Sequence, residues 1–203
     1  MENWDLYSKI ILEKCFDCID SNSRVLEIGP NNGKFTKLIL EKNPKYLELV
    51  EPDYTTIPSL KLLVKEHTDV SIKNEDIFNL LPQYQPKDFD VVVAFGVLYH
   101  WASPFDFLEK IANYIRPQYL CIDNPDNDQI RIKPEGENLL GGRWVQNYQT
   151  VKMAIHLPPD IITQAVTNLG YTQQLKRQMS YHNVRNKEQS WVWKFESTSF
   201  KNE

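Results

Sequence analysis

Five short apolar runs punctuate the first 123 residues, and segments of helical periodicity lie between most of them. The runs are RVLEI (24–28), YLELVE (46–51), the centre of DVSIKNED (69–76), DVVVAFG (90–96) and YLCID (119–123). Short apolar runs bounded by turn residues read as strands buried on both faces. IILEKCFDCI (10–19) has helical spacing, and KFTKLILEK (34–42) places Phe35, Leu38 and Ile39 on one side. IPSLKLLVKEH (57–67) carries Pro58 near its start, where proline is tolerated in a helix. PFDFLEKIANYI (104–115) aligns Phe105, Leu108, Ile111, Ala112 and Ile115 in one stripe. Strand alternating with helix predicts a parallel α/β sheet covered by helices on both faces. Ligands of such sheets bind beyond the carboxyl ends of the strands.

The rhythm breaks at Asn124. Residues 124–158 are rich in Pro, Gly, Asn and Asp and show no period, as expected of a functional or disordered loop. PPDIITQAVTNLG (158–170) is a helix closed by Gly170. YTQQLKRQMSYH (171–182) and QSWVWKFES (189–197) alternate and form a final hairpin, with NVRNKE as its link. The 203 residues fit one domain, 1–203. No apolar run reaches 18 residues, and the polar start MENWDLYSKI lacks the pattern of a secretion signal, so a cytoplasmic protein is expected.

Cys15 and Cys18 form one C-x-x-C within a helical segment, with no second pair, and read as two thiols on a helix face. The His and Cys positions have no spacing typical of a metal site. The formal charge is −4, with an acidic excess in residues 1–130 and a basic excess in 131–203. A general polyanion binder would be more basic, although the last third leaves room for an anionic substrate.

The stretch VLEIGPNNGKF (25–35) has the form of a strand, a tight turn and a helix start. Four acids stand at or just beyond strand ends: Glu27, Glu51, Asp76 and Asp123. Glu51 ends the second strand, 22 residues after Gly29, where two carboxylate oxygens suit the two hydroxyls of a ribose. Asp76 can accept from an exocyclic amine such as that of adenine, with Ile77 against the ring. A dinucleotide is disfavoured. Asn31 replaces the second glycine of Gly-x-Gly-x-x-Gly, Lys34 stands in place of the third, and Glu27 would repel a pyrophosphate. An acid there suits a ligand with a cationic end. S-adenosylmethionine has an ammonium, a sulfonium, a ribose and an adenine, and no phosphate.

Over residues 22–125 the chain resembles the class I S-adenosylmethionine-dependent methyltransferases, nearest to small-molecule or tRNA wobble-uridine members. VLEIGPNNG is similar to their first motif, acid-x-Gly-x-Gly-x-Gly, with Asn31 in place of the middle glycine. LELVEPD is similar to the second, NEDIF to the third, and FDVVVAFGVLYHWASP to the fourth. The usual Pro-Gly-Gly before the fifth strand is replaced by Arg116-Pro117-Gln118-Tyr119. The resemblance implies a Rossmann-like sheet of seven mostly parallel strands in the order 3-2-1-4-5-7-6, ending in an antiparallel hairpin. It implies S-adenosylmethionine held by Glu27, Gly29, Pro30, Asn31, Gly33, Glu51, Pro52, Asp76, Ile77, Phe95 and Gly96.

His100, with Tyr99 beside it, is the candidate general base, because an unperturbed imidazole titrates near neutrality. Both residues also suit plain packing at a pocket wall. Asn124, Arg131, Lys133, Arg143, Trp144, Tyr148 and His156 are suited to recognition, and Arg143-Trp144 to pairing an anion and stacking a ring. Trp4 and Tyr7 suit a lid or packing on the sheet. The expected acceptor is a small molecule. A tRNA or other nucleic acid, and a non-catalytic member acting as a binding partner, are the alternatives.

Overall fold

The computed structural model describes residues 2–101, 103–126, 129–134, 153–183 and 186–199. Helix α1 (Glu2–Ile10) widens into a looser turn at Ile11–Cys15 and precedes strand β1 (Arg24–Ile28). There follow α2 (Lys34–Leu40), β2 (Tyr46–Val50), α3 (Ile57–Leu63), β3 (Val70–Lys73), α4 (Ile77–Leu80), β4 (Val91–Ala94), α5 (Pro104–Lys110) and β5 (Tyr119–Pro125). Strands β6 (Arg131–Pro134) and β7 (Met153–His156), helix α6 (Pro159–Asn168) and strands β8 (Tyr171–Asn183) and β9 (Asn186–Ser197) complete the order.

Seven strands form one sheet in the order β3-β2-β1-β4-β5-β9-β8. The first five are parallel, β9 runs antiparallel to β5, and β8 antiparallel to β9. This is the expected Rossmann-like order with the expected terminal hairpin. The register Ile28↔Val50 and Glu27↔Val93 brings the carboxyl ends of β1, β2 and β4 into line, so the turns that follow them share one edge.

Each face of the sheet carries its own apolar core. One holds Leu26, Ile28, Val92, Ala94, Leu108, Ile111 and Trp193. The other holds Tyr7, Phe16, Val25, Leu38, Ile39, Leu60, Val93 and Cys121. All four residues of β4 are buried, which is why its sequence is continuously apolar rather than alternating.

Several local expectations are corrected. Phe105 is 44% exposed, and Phe107 fills the core from α5 instead. The first helix starts at Glu2, eight residues earlier than its apolar pattern. The stretch after Asp76 forms the short helix α4. Residues 131–134 and 153–156, placed in an irregular region, pair as a separate antiparallel ribbon. The hairpin pairs as far as Asn183↔Asn186, so its strands absorb most of the expected six-residue link. All three cysteines are free, and Cys121 joins the other two: the Cys121 and Cys18 thiols both donate to the carbonyl of Cys15. Among the described residues no helix is long and apolar enough to cross a membrane, and no cluster of His, Cys, Asp or Glu is arranged to hold a metal.

Candidate functional site

The turn between β1 and α2 is left-handed at three positions. Gly29 has φ 68°, Asn31 φ 51° and Gly33 φ 78°. Asn occupies this region with less strain than most side chains, so the turn survives the loss of the middle glycine. The other two positions are also closed sterically. A Cβ at Gly29 would lie 2.7 Å from Val97 Cγ2, and one at Gly33 2.3 Å from Leu63 Cδ2. The N–H of Gly29 donates to the carbonyl of Val50 at 2.9 Å, which ties the turn to the end of β2.

Glu51 is fully buried at that end. Its Oε2 accepts from the N–H of Asn31 and its Oε1 from the N–H of Asp53, both at 2.8 Å. Burial raises its pKa, and the two backbone donors oppose the rise. The amide of Asn74 donates to the carbonyls of Glu51 at 2.8 Å and Pro52 at 3.1 Å, fixing the loop that carries them. Each carboxylate oxygen has accepted one bond and keeps a lone pair.

Glu27 lies beneath the turn and is 3% exposed. Its Oε2 accepts from Thr36 Oγ1 at 2.7 Å. Burial pushes its pKa up to about 8, the charge of Glu51 adds to the rise, and the Thr36 bond opposes it. Asp76 caps α4: its Oδ1 accepts from the N–H of Phe78 at 2.8 Å, and burial raises its pKa. Ile77 is 2% exposed and packs into the core. Phe95 is 5% exposed, stacked on Phe16 at 5.6 Å and edge-on to Phe35 at 4.7 Å. Tyr7 packs beside Phe35 at 6.2 Å and is 3% exposed, which decides between lid and packing for that residue.

After β4 the chain turns at Gly96, φ 71°, and its N–H donates to Asp123 Oδ1 in β5, a strand that runs two residues past the expected end at Asp123. The next turn carries Tyr99 and His100, both partly exposed. The Tyr99 ring lies 4.2 Å from that of His100 and 5.2 Å from that of His156. His156 is 8% exposed and arrives on β7, so the ribbon absent from the sequence reading supplies one wall of this cluster. Asp123 is 8% exposed, and burial lifts its pKa to about 6 against the opposing effects of Gly96, His100 and Lys34.

Asn124 is 1% exposed, and its amide donates to the carbonyls of Pro125 and Leu157, both at 2.9 Å. It thereby pins β5 to the segment before α6, and its Oδ1 is buried with no partner among the described residues. Arg143, Trp144 and Tyr148 lie outside the described residues. Arg131 and Lys133 lie on β6, and His67 is exposed on the surface. The sequence reading gave no role to Lys34 or Thr36 at the site. Their partners Asp123 and Glu27 stand far away or on another element, so no local signal marked them.

Comparison with solved structures agrees with this architecture. The N-methyltransferase NodS of Bradyrhizobium japonicum, in complex with S-adenosyl-L-homocysteine, superposes with a TM-score of 0.66 at 17% identity, over 96% of this chain and 87% of that one. A Burkholderia thailandensis 1,6-didemethyltoxoflavin-N1-methyltransferase, solved with 1,6-didemethyltoxoflavin and S-adenosylhomocysteine, gives a TM-score of 0.68 at 15% identity, over 95% and 77%. At such identities the likeness establishes a shared fold.

Among curated proteins, the ribosomal RNA small subunit methyltransferase A of Streptococcus thermophilus is 27% identical over 165 residues, 76% of this chain and 56% of that protein. The corresponding protein of Pelagibacter ubique is 42% identical over 78 residues, 37% of this chain and 28% of its own length. The chain thus spans little more than half the length of these relatives, or less. A family model described as a methyltransferase domain matches residues 5–201, and this protein belongs to the methyltransferase domain family.

Proposed function

We propose that this protein transfers a methyl group from S-adenosylmethionine to a small-molecule acceptor. The observation that carries the donor assignment is Glu51. It is buried at the end of β2, with each oxygen fixed by one backbone N–H and one lone pair left for each hydroxyl of a ribose diol. The turn supports it: Gly29 and Gly33 take left-handed angles and pack directly against Val97 and Leu63, which holds the loop between β1 and α2 tight beside Glu51. Pro30, Asn31 and Pro52 border the same place. Glu27 braces the turn through Thr36. Asp76 keeps one oxygen for an exocyclic amine while the other caps α4.

When bound, S-adenosylmethionine supplies an electrophilic methyl group on a sulfonium. The chain's own residues orient and enclose. Asp123 fixes the Gly96 turn, and that turn presents Tyr99 and His100. His100 takes the acceptor's proton where the acceptor is a hydroxyl, and Tyr99 with His156 forms the wall. Positioning carries much of the rate, since correct orientation alone is worth several kcal/mol.

A small acceptor suits the structural neighbour solved with 1,6-didemethyltoxoflavin. A nucleic-acid acceptor is the second reading, favoured by the ribosomal RNA methyltransferases among the relatives. Calorimetry with S-adenosylhomocysteine and with NAD tests the donor. Micromolar binding of the first and none of the second is expected, and the reverse would end the assignment. A steep loss of acceptor binding with rising salt would select nucleic acid over a small neutral molecule.

A further inference from the structure

The three cysteines take no part in methyl transfer, and the fold gathers them. Cys15 closes the N-terminal helical segment, Cys18 ends the tight turn Phe16–Cys18, and Cys121 lies in β5. Cys15 and Cys121 are fully buried, whereas Cys18 is partly exposed. The C-x-x-C of the sequence supplies two thiols, and the sheet adds the third, 106 positions after Cys15.

The thiols of Cys18 and Cys121 converge on one atom. Both donate to the carbonyl oxygen of Cys15, at 3.4 and 3.5 Å. They also meet each other: a bond to the Cys121 side chain, and then burial, push the Cys18 thiol up, with the Lys194 charge opposing. Burial and a bond to Cys15 push the Cys121 thiol up, with Cys18 and Lys194 opposing. Lys194 stands opposite Cys121 in the register of β5 and β9 and pairs with Asp17. Tyr119, bonded to Glu196 at 3.2 Å, lies near Cys18 as well. The Cys15 thiol donates to the carbonyl of Trp193 in β9 at 3.7 Å. Cys18 therefore meets the carbonyl of Cys15 but the sulfur of Cys121.

We propose that Cys18 and Cys121 form a disulfide site that a peroxide closes. Cys18 is the sulfur that a small oxidant can reach, and Cys121 is the sulfur behind it. The Cys18 thiolate attacks one peroxide oxygen, the O–O bond breaks, and Cys18 becomes a sulfenic acid as one water leaves. The Cys121 sulfur then attacks the Cys18 sulfur. The S–S bond forms, the S–O bond breaks, and a second water carries away the Cys121 proton. Two thiols are oxidised and one peroxide is reduced to two waters. Both thiols are held protonated at neutral pH, so the reaction runs through a small thiolate fraction and is slow.

The bridge staples the N-terminal segment to the central sheet. It closes a loop of about 100 residues, which restricts the unfolded chain and strengthens the fold. Phe16, in the same turn as Cys18, stacks on Phe95 at 5.6 Å, so the staple also holds that contact at the end of β4.

The test treats the full chain with hydrogen peroxide and counts thiols by alkylation in denaturant. One of the three cysteines is expected to stay free, with a loss of two hydrogens in mass and full recovery in dithiothreitol. Tandem mass spectrometry of the bridged peptides shows which sulfurs are joined in the wild type. Cys18→Ser, at a partly exposed position, is expected to form no bridge, and Cys15→Ala to form it as the wild type does. The wild-type peptide map decides the pairing even where Cys15→Ala, at a buried site, does not fold. The bridged protein is expected to melt roughly 5–15 °C above the reduced one. Three free thiols after treatment, a bridge that includes Cys15, a bridge between two chains, Cys18 carried on to sulfinic acid, or a melting temperature that does not rise would overturn the proposal.

Discussion

Glu27 gives the protein a pH-dependent stability that one substitution should remove. The residue is 3% exposed, and its hydrogen bond comes from Thr36 Oγ1 at 2.7 Å. Burial raises its pKa from the ordinary 4.5 to about 8, so the folded protein holds this carboxyl protonated at neutral pH. In the unfolded chain the group ionises near 4.5. Below that value both states carry the proton, and the contribution to stability is complete. Between 4.5 and about 8 the unfolded state releases its proton while the folded state keeps it. Stability therefore falls by roughly 1.4 kcal/mol per pH unit until the folded carboxyl ionises as well. Across the window the loss is about 3–5 kcal/mol, a large part of the 5–15 kcal/mol typical of a domain. Glu27→Gln keeps an oxygen for Thr36 and has no proton to release. Urea unfolding of both proteins at pH 5, 7 and 9 gives the difference directly. Asp123 and the other titrating groups act equally in both and cancel. The mutant is expected to gain on the wild type steadily as pH rises. Two parallel pH curves would show that Glu27 ionises normally and is not sealed beneath the turn.

Glu51→Ala should weaken S-adenosylhomocysteine by roughly 1.5–3 kcal/mol, about 10- to 100-fold. It should also lower the melting temperature, because the N–H groups of Asn31 and Asp53 lose their acceptor; unchanged affinity in a folded mutant removes Glu51 from the site. His100→Ala should lower turnover about 10²–10⁴-fold with little change in donor affinity. A small rate loss with a large stability loss would make His100 a wall residue. Gly33→Ala should destabilise the fold by ~1–3 kcal/mol, since φ 78° and a Leu63 methyl group 2.3 Å from the new Cβ both oppose it. Thermal unfolding that matches the wild type would show that the turn adjusts.

The sequence by itself determined the alternation of strand and helix, because each element is a local pattern. A run such as Val91–Ala94 can be read without knowing its neighbours, since burial on both faces demands apolar residues at every position. The strand-turn-helix at 25–35 and the acids at the strand ends were legible for the same reason. Tertiary structure decided which of those acids does what. Glu27 is sealed under α2, Glu51 is gripped by two backbone donors, Asp76 caps a helix, and Asp123 answers a lysine 89 positions earlier. Helix phase also lay with the packing: Phe107 and not Phe105 meets the core, because the direction of α5 over the sheet selects the buried stripe. The β6–β7 ribbon had no local signature, since its two four-residue strands become regular only by pairing with each other. Pairing, burial and charge contact act between residues distant in the chain, so they are properties of the fold, and the roles of the site residues follow from them.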